Sequence, residues 1–100
     1  TPGFIVNRLL MPHFVEAIKM AEEGIASVED IDKAVKLGLN YPMGPFELMD
    51  LTGIDIGLHV IEYLYWELNK ESKWSTPTLL RSMVRAGKLG RKTKGGWYKY

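Results

Sequence analysis

His13 and His59, two runs of carboxylates, Asn7 and a basic tail are the side chains in this sequence with the chemistry to act on a ligand. Neither histidine has a second candidate ligand at metal spacing: His13 sits beside Pro12 and Phe14, and His59 between Leu58 and Val60. Both read as packed or surface imidazoles in preference to a catalytic base or a metal ligand. Glu22-Glu23 and Glu29-Asp30-Asp32 look like paired carboxylates for proton transfer. Their places near helix ends and on polar faces make them solvated or capping groups instead. Lys88, Arg91, Lys92, Lys94 and Lys99 could meet phosphates, with Trp97 and Tyr98 stacking on bases. A solvated C-terminal segment held by an aromatic anchor accounts for the same residues, and no nucleic-acid partner is expected. Asn7 is the residue of most interest, because it carries an amide among apolar neighbours in Phe4-Ile5-Val6-Asn7-Arg8-Leu9-Leu10. It either caps the start of a helix or presents two donors and an acceptor to a cleft. On the residues alone, capping is the stronger reading.

Composition sets these groups in an ordinary globular chain. Its 100 residues suit one domain, residues 1–100, and hydrophobic residues at 46% with charged residues at 25% exclude general disorder. Thirteen basic against twelve acidic residues leave a net charge of +1, which gives no general pull toward nucleic acid or an anionic membrane. There is no cysteine, hence no disulfide framework, thiolate metal site or cysteine nucleophile, and the chain suits a reducing cytoplasm. No apolar run approaches the roughly 20 residues that span a bilayer, and no charged-then-apolar leader is visible. No membrane partner is expected, and the expected location is cytoplasmic. No Gly-x-Gly-x-x-Gly follows a strand, so no dinucleotide cradle is expected in this chain.

The elements that must position these residues are helical. Val6, Leu9, Leu10, Phe14, Ala17, Ile18 and Ala21 recur at helical spacing after a Thr1-Pro2-Gly3 turn, with Pro12 an expected kink and Gly24 a stop. Ser27 caps a second helix striped by Val28, Ile31, Ala34 and Val35 and ended by Gly38. The Leu39-Asn40-Tyr41-Pro42-Met43-Gly44-Pro45 segment is a loop, and Pro45 opens a short third helix that Thr52-Gly53 breaks. A fourth helix, from about Ile54 to Asn69, is apolar or aromatic nearly all round, which predicts that a subunit or domain interface covers it. Lys70 to Thr76 reads as loop apart from Trp74, and Pro77 starts a fifth helix ending at Gly87. The tail closes with Trp97-Tyr98-Lys99-Tyr100, aromatics expected to pack back on the helices. No strand pattern is strong enough to build a sheet, so the fold class is all-α.

Four blocks in order carry a specific resemblance across essentially the whole chain. They are Thr1-Pro2-Gly3-Phe4-Ile5-Val6-Asn7-Arg8-Leu9-Leu10, Ser27-Val28-Glu29-Asp30-Ile31-Asp32-Lys33-Ala34, Tyr41-Pro42-Met43-Gly44-Pro45-Phe46-Glu47-Leu48 and Leu89-Gly90-Arg91-Lys92-Thr93. Together they resemble the C-terminal domain of the 3-hydroxyacyl-CoA dehydrogenase family. The resemblance implies a helical domain of the 6-phosphogluconate-dehydrogenase C-terminal type, which in the family follows a Rossmann domain that binds NAD. It implies an oxidoreductase that converts L-3-hydroxyacyl-CoA, or 3-hydroxybutyryl-CoA, to the ketone in fatty-acid β-oxidation or butyrate metabolism. The helical domain then supplies one wall of the acyl-CoA cleft and most of a homodimer interface.

Of the residues present, Asn7 matches the asparagine that the family places near the reacting oxygen, so the resemblance makes it the substrate-binding residue. The family's catalytic histidine and its glutamate partner map onto neither His13, His59 nor any glutamate here. No catalytic residue and no cofactor site are therefore assigned, and this chain alone is expected to be inactive and to bind no NAD. Its NAD-binding partner would lie in the same longer chain or in a separate one. The sequence departs from the family in the tail, where Thr93-Lys94-Gly95-Gly96-Trp97-Tyr98 stands in place of Thr-Gly-Lys-Gly-Phe-Tyr. A free-standing, non-catalytic helical module that binds acyl-CoA or serves as a dimeric scaffold is the alternative.

Overall fold

A computed structural model describes residues 2–100, and its first helix, α1 (Pro2–Glu22), starts earlier than the apolar periodicity indicates. Proline is preorganised for the first helical position, so the expected turn at Pro2-Gly3 is instead the opening of the helix; Thr1 lies outside the described residues. Pro12 lies inside this helix, and α1 runs through it as one element. Met11, Phe14, Val15, Ala17 and Ile18 are buried around that point, and packing of this face outweighs the missing amide. The apolar stripe is therefore core only from Leu10 onward. Val6 and Leu9, read from the sequence as part of it, are 56% and 69% exposed on the first turns.

The chain then folds back through α2 (Val28–Gly38), α3 (Pro45–Thr52), α4 (Ile54–Glu67) and α5 (Thr78–Arg85), with short 3-10 turns at Ser72–Trp74 and Arg91–Thr93. Phe14 and Ile18 of α1 meet a core built from Phe46 and Met49 of α3, Ile54, Ile61 and Leu64 of α4, and Leu80 of α5. Trp74, in a segment that reads as polar loop, is fully buried, and its 3-10 turn packs against α1 and α4. Helix α4 stops short of Asn69 because Asn69 takes a left-handed conformation (φ 63°). The Lys70 N–H then reaches back to the Tyr65 carbonyl at 2.8 Å, a Schellman closure. The same closure ends α1 at Gly24 and α5 at Gly87. Among the described residues there is no strand, only isolated bridges of Gly95 with Gly90 and with Lys99 in the tail.

Two buried aspartates tie these elements together. Asp32 of α2 accepts the Phe46 N–H at 2.8 Å and the Glu47 N–H at 3.1 Å, so its carboxylate caps α3 from a neighbouring helix. The Tyr98 hydroxyl donates to the same carboxylate at 2.6 Å. Asp50 of α3 accepts the Trp97 and Tyr98 N–H groups at 2.9 and 3.1 Å and the Tyr100 hydroxyl at 2.7 Å. Glycine is required beside both. A Cβ on Gly44 would overlap the Asp32 side chain, and one on Gly90, at φ 109°, would overlap the backbone of Asp50.

The swapped Lys and Gly of the tail leave the turn in place but load it differently. Lys94 sits at the left-handed position (φ 61°) that closes the 3-10 turn, where glycine carries no Cβ penalty. Gly95 is at an unrestricted conformation with no neighbour to obstruct a side chain. Lys94→Gly should therefore raise stability by about 1 kcal/mol, a gain of roughly 4–8 °C in melting temperature for a domain of this size. Gly44→Ala should do the opposite, lowering stability by about 3 kcal/mol as α2 is pushed off α3. Thermal denaturation of the two variants beside the parent checks both signs.

Candidate functional site

Because α1 begins at Pro2, Asn7 lies in its second turn, inside the helix. The capping reading of Asn7 is thereby overturned: the free N–H groups of the helix start lie before it. Its side chain makes no hydrogen bond with any described residue and is half-buried. It faces a hollow of about 240 Å³ between α1 and α4, lined by Phe4, Asn7, His59, Val60, Tyr63 and Leu64. The spacing explains the arrangement. Phe4 and Asn7 are one helical turn apart on α1, and His59 and Tyr63 one turn apart on α4. Of these residues Leu64 is buried and Val60 half-buried, while Tyr63 stands 59% exposed.

His59 is a neighbour of Asn7 that sequence reasoning did not bring to the hollow. Flanked by Leu58 and Val60 it reads as packed or surface, and it is exposed, yet it shares the hollow with Asn7. The signal that could have found it is helical phase: Leu58, Ile61 and Leu64 are buried, which turns His59 and Tyr63 away from the core. His13 is exposed on the rim of a larger apolar groove of about 500 Å³ formed by α1, α2 and the loop ahead of α3. No group of three or more histidine, cysteine or carboxylate side chains among the described residues could hold a metal ion.

Several of the remaining candidates are spent on structure. Glu22 accepts the Leu79 N–H at 3.0 Å and so caps α5, and Ser27 caps α2 through the Asp30 N–H at 3.1 Å. Asp32, grouped by sequence with solvated or capping carboxylates, caps a helix other than its own and is buried. Burial pushes its carboxyl above the usual range, against the pull of the hydrogen bonds from Tyr98, Phe46 and Glu47. Glu47 accepts the Gly44 N–H and pairs with Lys36 at 2.9 Å, and that lysine holds its carboxyl below the usual range. In the tail, the Trp97 ring meets Phe46 edge-on at 4.9 Å, and burial with Asp50 beside it pushes the Tyr100 phenol up to about 12. Lys92 pairs with Asp55 at 2.7 Å. The aromatics that could stack on bases are committed to the fold.

The same accounting tests the chain against a nicotinamide dinucleotide. The pyrophosphate of such a cofactor sits on free N–H groups at the start of a helix that follows a strand. Here the first turns of α3 and α5 are covered by carboxylates of Asp32 and Glu22, α2 is closed by Ser27, and no described residue is in a strand. The starts of α2, α3 and α5 are thus taken by the chain's own side chains.

The fold is a helical domain in which Asn7 faces a largely apolar hollow and Ile5, Val6 and Leu9 of α1 are exposed. The chain belongs to the 3-hydroxyacyl-CoA dehydrogenase, C-terminal domain family, whose profile matches residues 3–100. It is 50% identical over its whole length to a 3-hydroxybutyryl-CoA dehydrogenase of Clostridioides difficile, of which it covers 35%. Identity is also 50% to the human mitochondrial hydroxyacyl-coenzyme A dehydrogenase, of which it covers 32%. The crystal structure of (S)-3-hydroxybutyryl-CoA dehydrogenase from Ralstonia eutropha superposes with a TM-score of 0.92 at 49% identity, covering 100% of this chain and 35% of that one. The chain thus spans about a third of the length of the relatives it matches. No helix of the described residues is long and apolar enough to cross a membrane.

An Asn7 inside the helix, with no side-chain hydrogen bond among the described residues, makes a clear stability forecast. Asn7→Ala should leave the melting temperature unchanged or raise it slightly, since alanine is the better helix former by roughly half a kcal/mol. A cap would lose about 0.5–2 kcal/mol on the same change. Calorimetry on the two proteins separates these outcomes.

Proposed function

We propose that residues 1–100 form the substrate-binding and dimerisation domain of an NAD-dependent 3-hydroxyacyl-CoA dehydrogenase, oxidising the 3-hydroxyl of an acyl-CoA to a ketone. The observation that carries this reading is Asn7, an unspent amide facing an apolar hollow on a helix whose first turns lie uncovered. An amide N–H held by a helix is a preorganised donor to the oxygen on C3, which gains carbonyl character as the alcohol is oxidised. The apolar rest of the hollow takes the acyl carbons. NAD belongs on this reading to a domain preceding this one, in the same chain or a separate one. Fatty-acid β-oxidation is the metabolic setting, in the cytoplasm for a chain without cysteine.

Two apolar surfaces suit the two macromolecular partners in this reading. The exposed ridge of α4, with Ile56, Tyr63 and Trp66, adjoins the hollow and the tip of α1, so it falls to the preceding domain. The larger groove, between α1, α2 and the loop holding Tyr41 and Met43, falls to a second copy. Ala34→Arg sets a charge in that groove away from the hollow and should convert a dimer to a monomer. Sedimentation of parent and variant at micromolar concentration reads the result, and a monomeric parent refutes the pairing.

In the full-length enzyme, Asn7→Ala should lower turnover of 3-hydroxybutyryl-CoA on the order of 10²–10³-fold at unchanged melting temperature. Turnover equal to the parent's would remove Asn7 from the site and favour a non-catalytic helical module.

A further inference from the structure

Caps and ion pairs consume Glu22, Ser27, Asp32 and Glu47, but one cleft collects polar side chains that they leave out. It measures about 230 Å³ and lies between the last turns of α4 and the segment leading into α5, lined by Glu62, Tyr65, Trp66, Ser75, Thr76 and Arg81. Helical spacing sets Glu62, Tyr65 and Trp66 on one face of α4. Arg81 stands at the end of the first turn of α5, which packs on α4. Glu62, Ser75 and Thr76 are half-buried, and Arg81 is exposed. None of these four makes a side-chain hydrogen bond or an ion pair with a described residue. A carboxylate and a guanidinium thus line one cleft without neutralising each other.

We infer that this cleft binds an amino-acid-sized zwitterion, at a site separate from the hollow beside Asn7. Size excludes larger ligands: the space equals roughly eight water volumes, room for an amino acid and too little for a nucleotide. Charge then selects among small ones. A simple anion drawn to Arg81 is opposed by Glu62, and a simple amine drawn to Glu62 is opposed by Arg81. A molecule with a carboxylate at one end and an ammonium at the other meets its opposite at both. Its carboxylate accepts from the Arg81 guanidinium and from the hydroxyls of Ser75 and Thr76. Its ammonium donates to Glu62. The Trp66 ring already has the Lys70 ammonium over it, at 4.3 Å, so the ligand's cation is left to the carboxylate. Trp66 also ends the ridge that falls to the preceding domain, and neither charged pole of the cleft depends on that ring. A ligand held in this way bridges α4 to α5.

Calorimetric titration of the full-length enzyme with glycine, γ-aminobutyrate and 6-aminohexanoate tests this, since the series varies the span between the two charges. At least one of the three should bind at about 1 mM or tighter. Butyrate and butylamine, which carry one charge each, should bind about tenfold or more weakly than the best of the series. Glu62→Gln and Arg81→Ala should each weaken that best ligand about tenfold. Neither change should move the melting temperature of the unliganded protein, because neither side chain holds a partner in the fold. No binding by any of the three at about 10 mM overturns the inference. Binding that either variant leaves within twofold of the parent's overturns it too, because both poles are required. Butyrate or inorganic phosphate binding as tightly as the best amino acid, and unchanged in Glu62→Gln, also overturns it and makes the cleft a plain anion site.

Discussion

Asp32 is where the structure is most constrained. One buried carboxylate accepts two backbone N–H groups from the first turn of α3 and the hydroxyl of Tyr98, sixty-six residues away in sequence. Each of those donors would otherwise be left without an acceptor in the interior, and each hydrogen bond to a charged group is worth about 1.5–3 kcal/mol. Removing the carboxylate would free the start of α3 and the tail at once. Asp50 continues the arrangement from the other end of α3, gathering the N–H groups of Trp97 and Tyr98 and the hydroxyl of Tyr100. The tail is thus a strap across α2 and α3, held by hydrogen bonds from its own backbone as well as by its aromatic rings.

This network joins three of the four blocks of the family resemblance. The block around Asp32 supplies the acceptor, the block around Gly44 and Phe46 supplies the helix start it caps, and Gly90 of the fourth block packs against the backbone of Asp50. Their glycines are there because the aspartates approach too closely for a Cβ. Three of the four blocks are therefore parts of one structural device. The first, with Asn7, contributes no residue to that network.

That division decides how much was legible in the sequence. Helices with a clear stripe and a stop, such as α2 between Ser27 and Gly38, read correctly because local capping and periodicity agree with the packing. The start of α1 did not, since Pro2-Gly3 has the composition of a turn while its backbone continues the helix. Nor did the depth of Asp32: an aspartate two residues after Asp30 looks like one more solvated acid, and its partners lie at the start of α3 and in the tail, which periodicity cannot pair with it. Trp74 was lost in the same way, since a lone aromatic in a polar stretch gives no period to detect. The hollow was half legible. Asn7 stood out among apolar neighbours, but His59 and Tyr63 reach it only through the packing of α1 on α4, which no short window contains.

The exposed residues of α1 and α4 follow from the same geometry. Below Leu10, α1 is locked into the core by Phe14, Val15 and Ile18, so its direction is set. Its first turns continue as a straight extension of that buried segment and carry Ile5, Val6 and Leu9 outward, 58%, 56% and 69% exposed. An isolated domain gains nothing from holding such residues in water, and side chains of this kind each gain about 1.5–3 kcal/mol when covered. Asn7 rides on the same turns, so a body that covers those apolar groups is brought up against the amide. On the proposed reading, the buried part of α1 holds the amide in place while its exposed turns meet the preceding domain. Docking and orientation of the reacting oxygen would then both depend on one element.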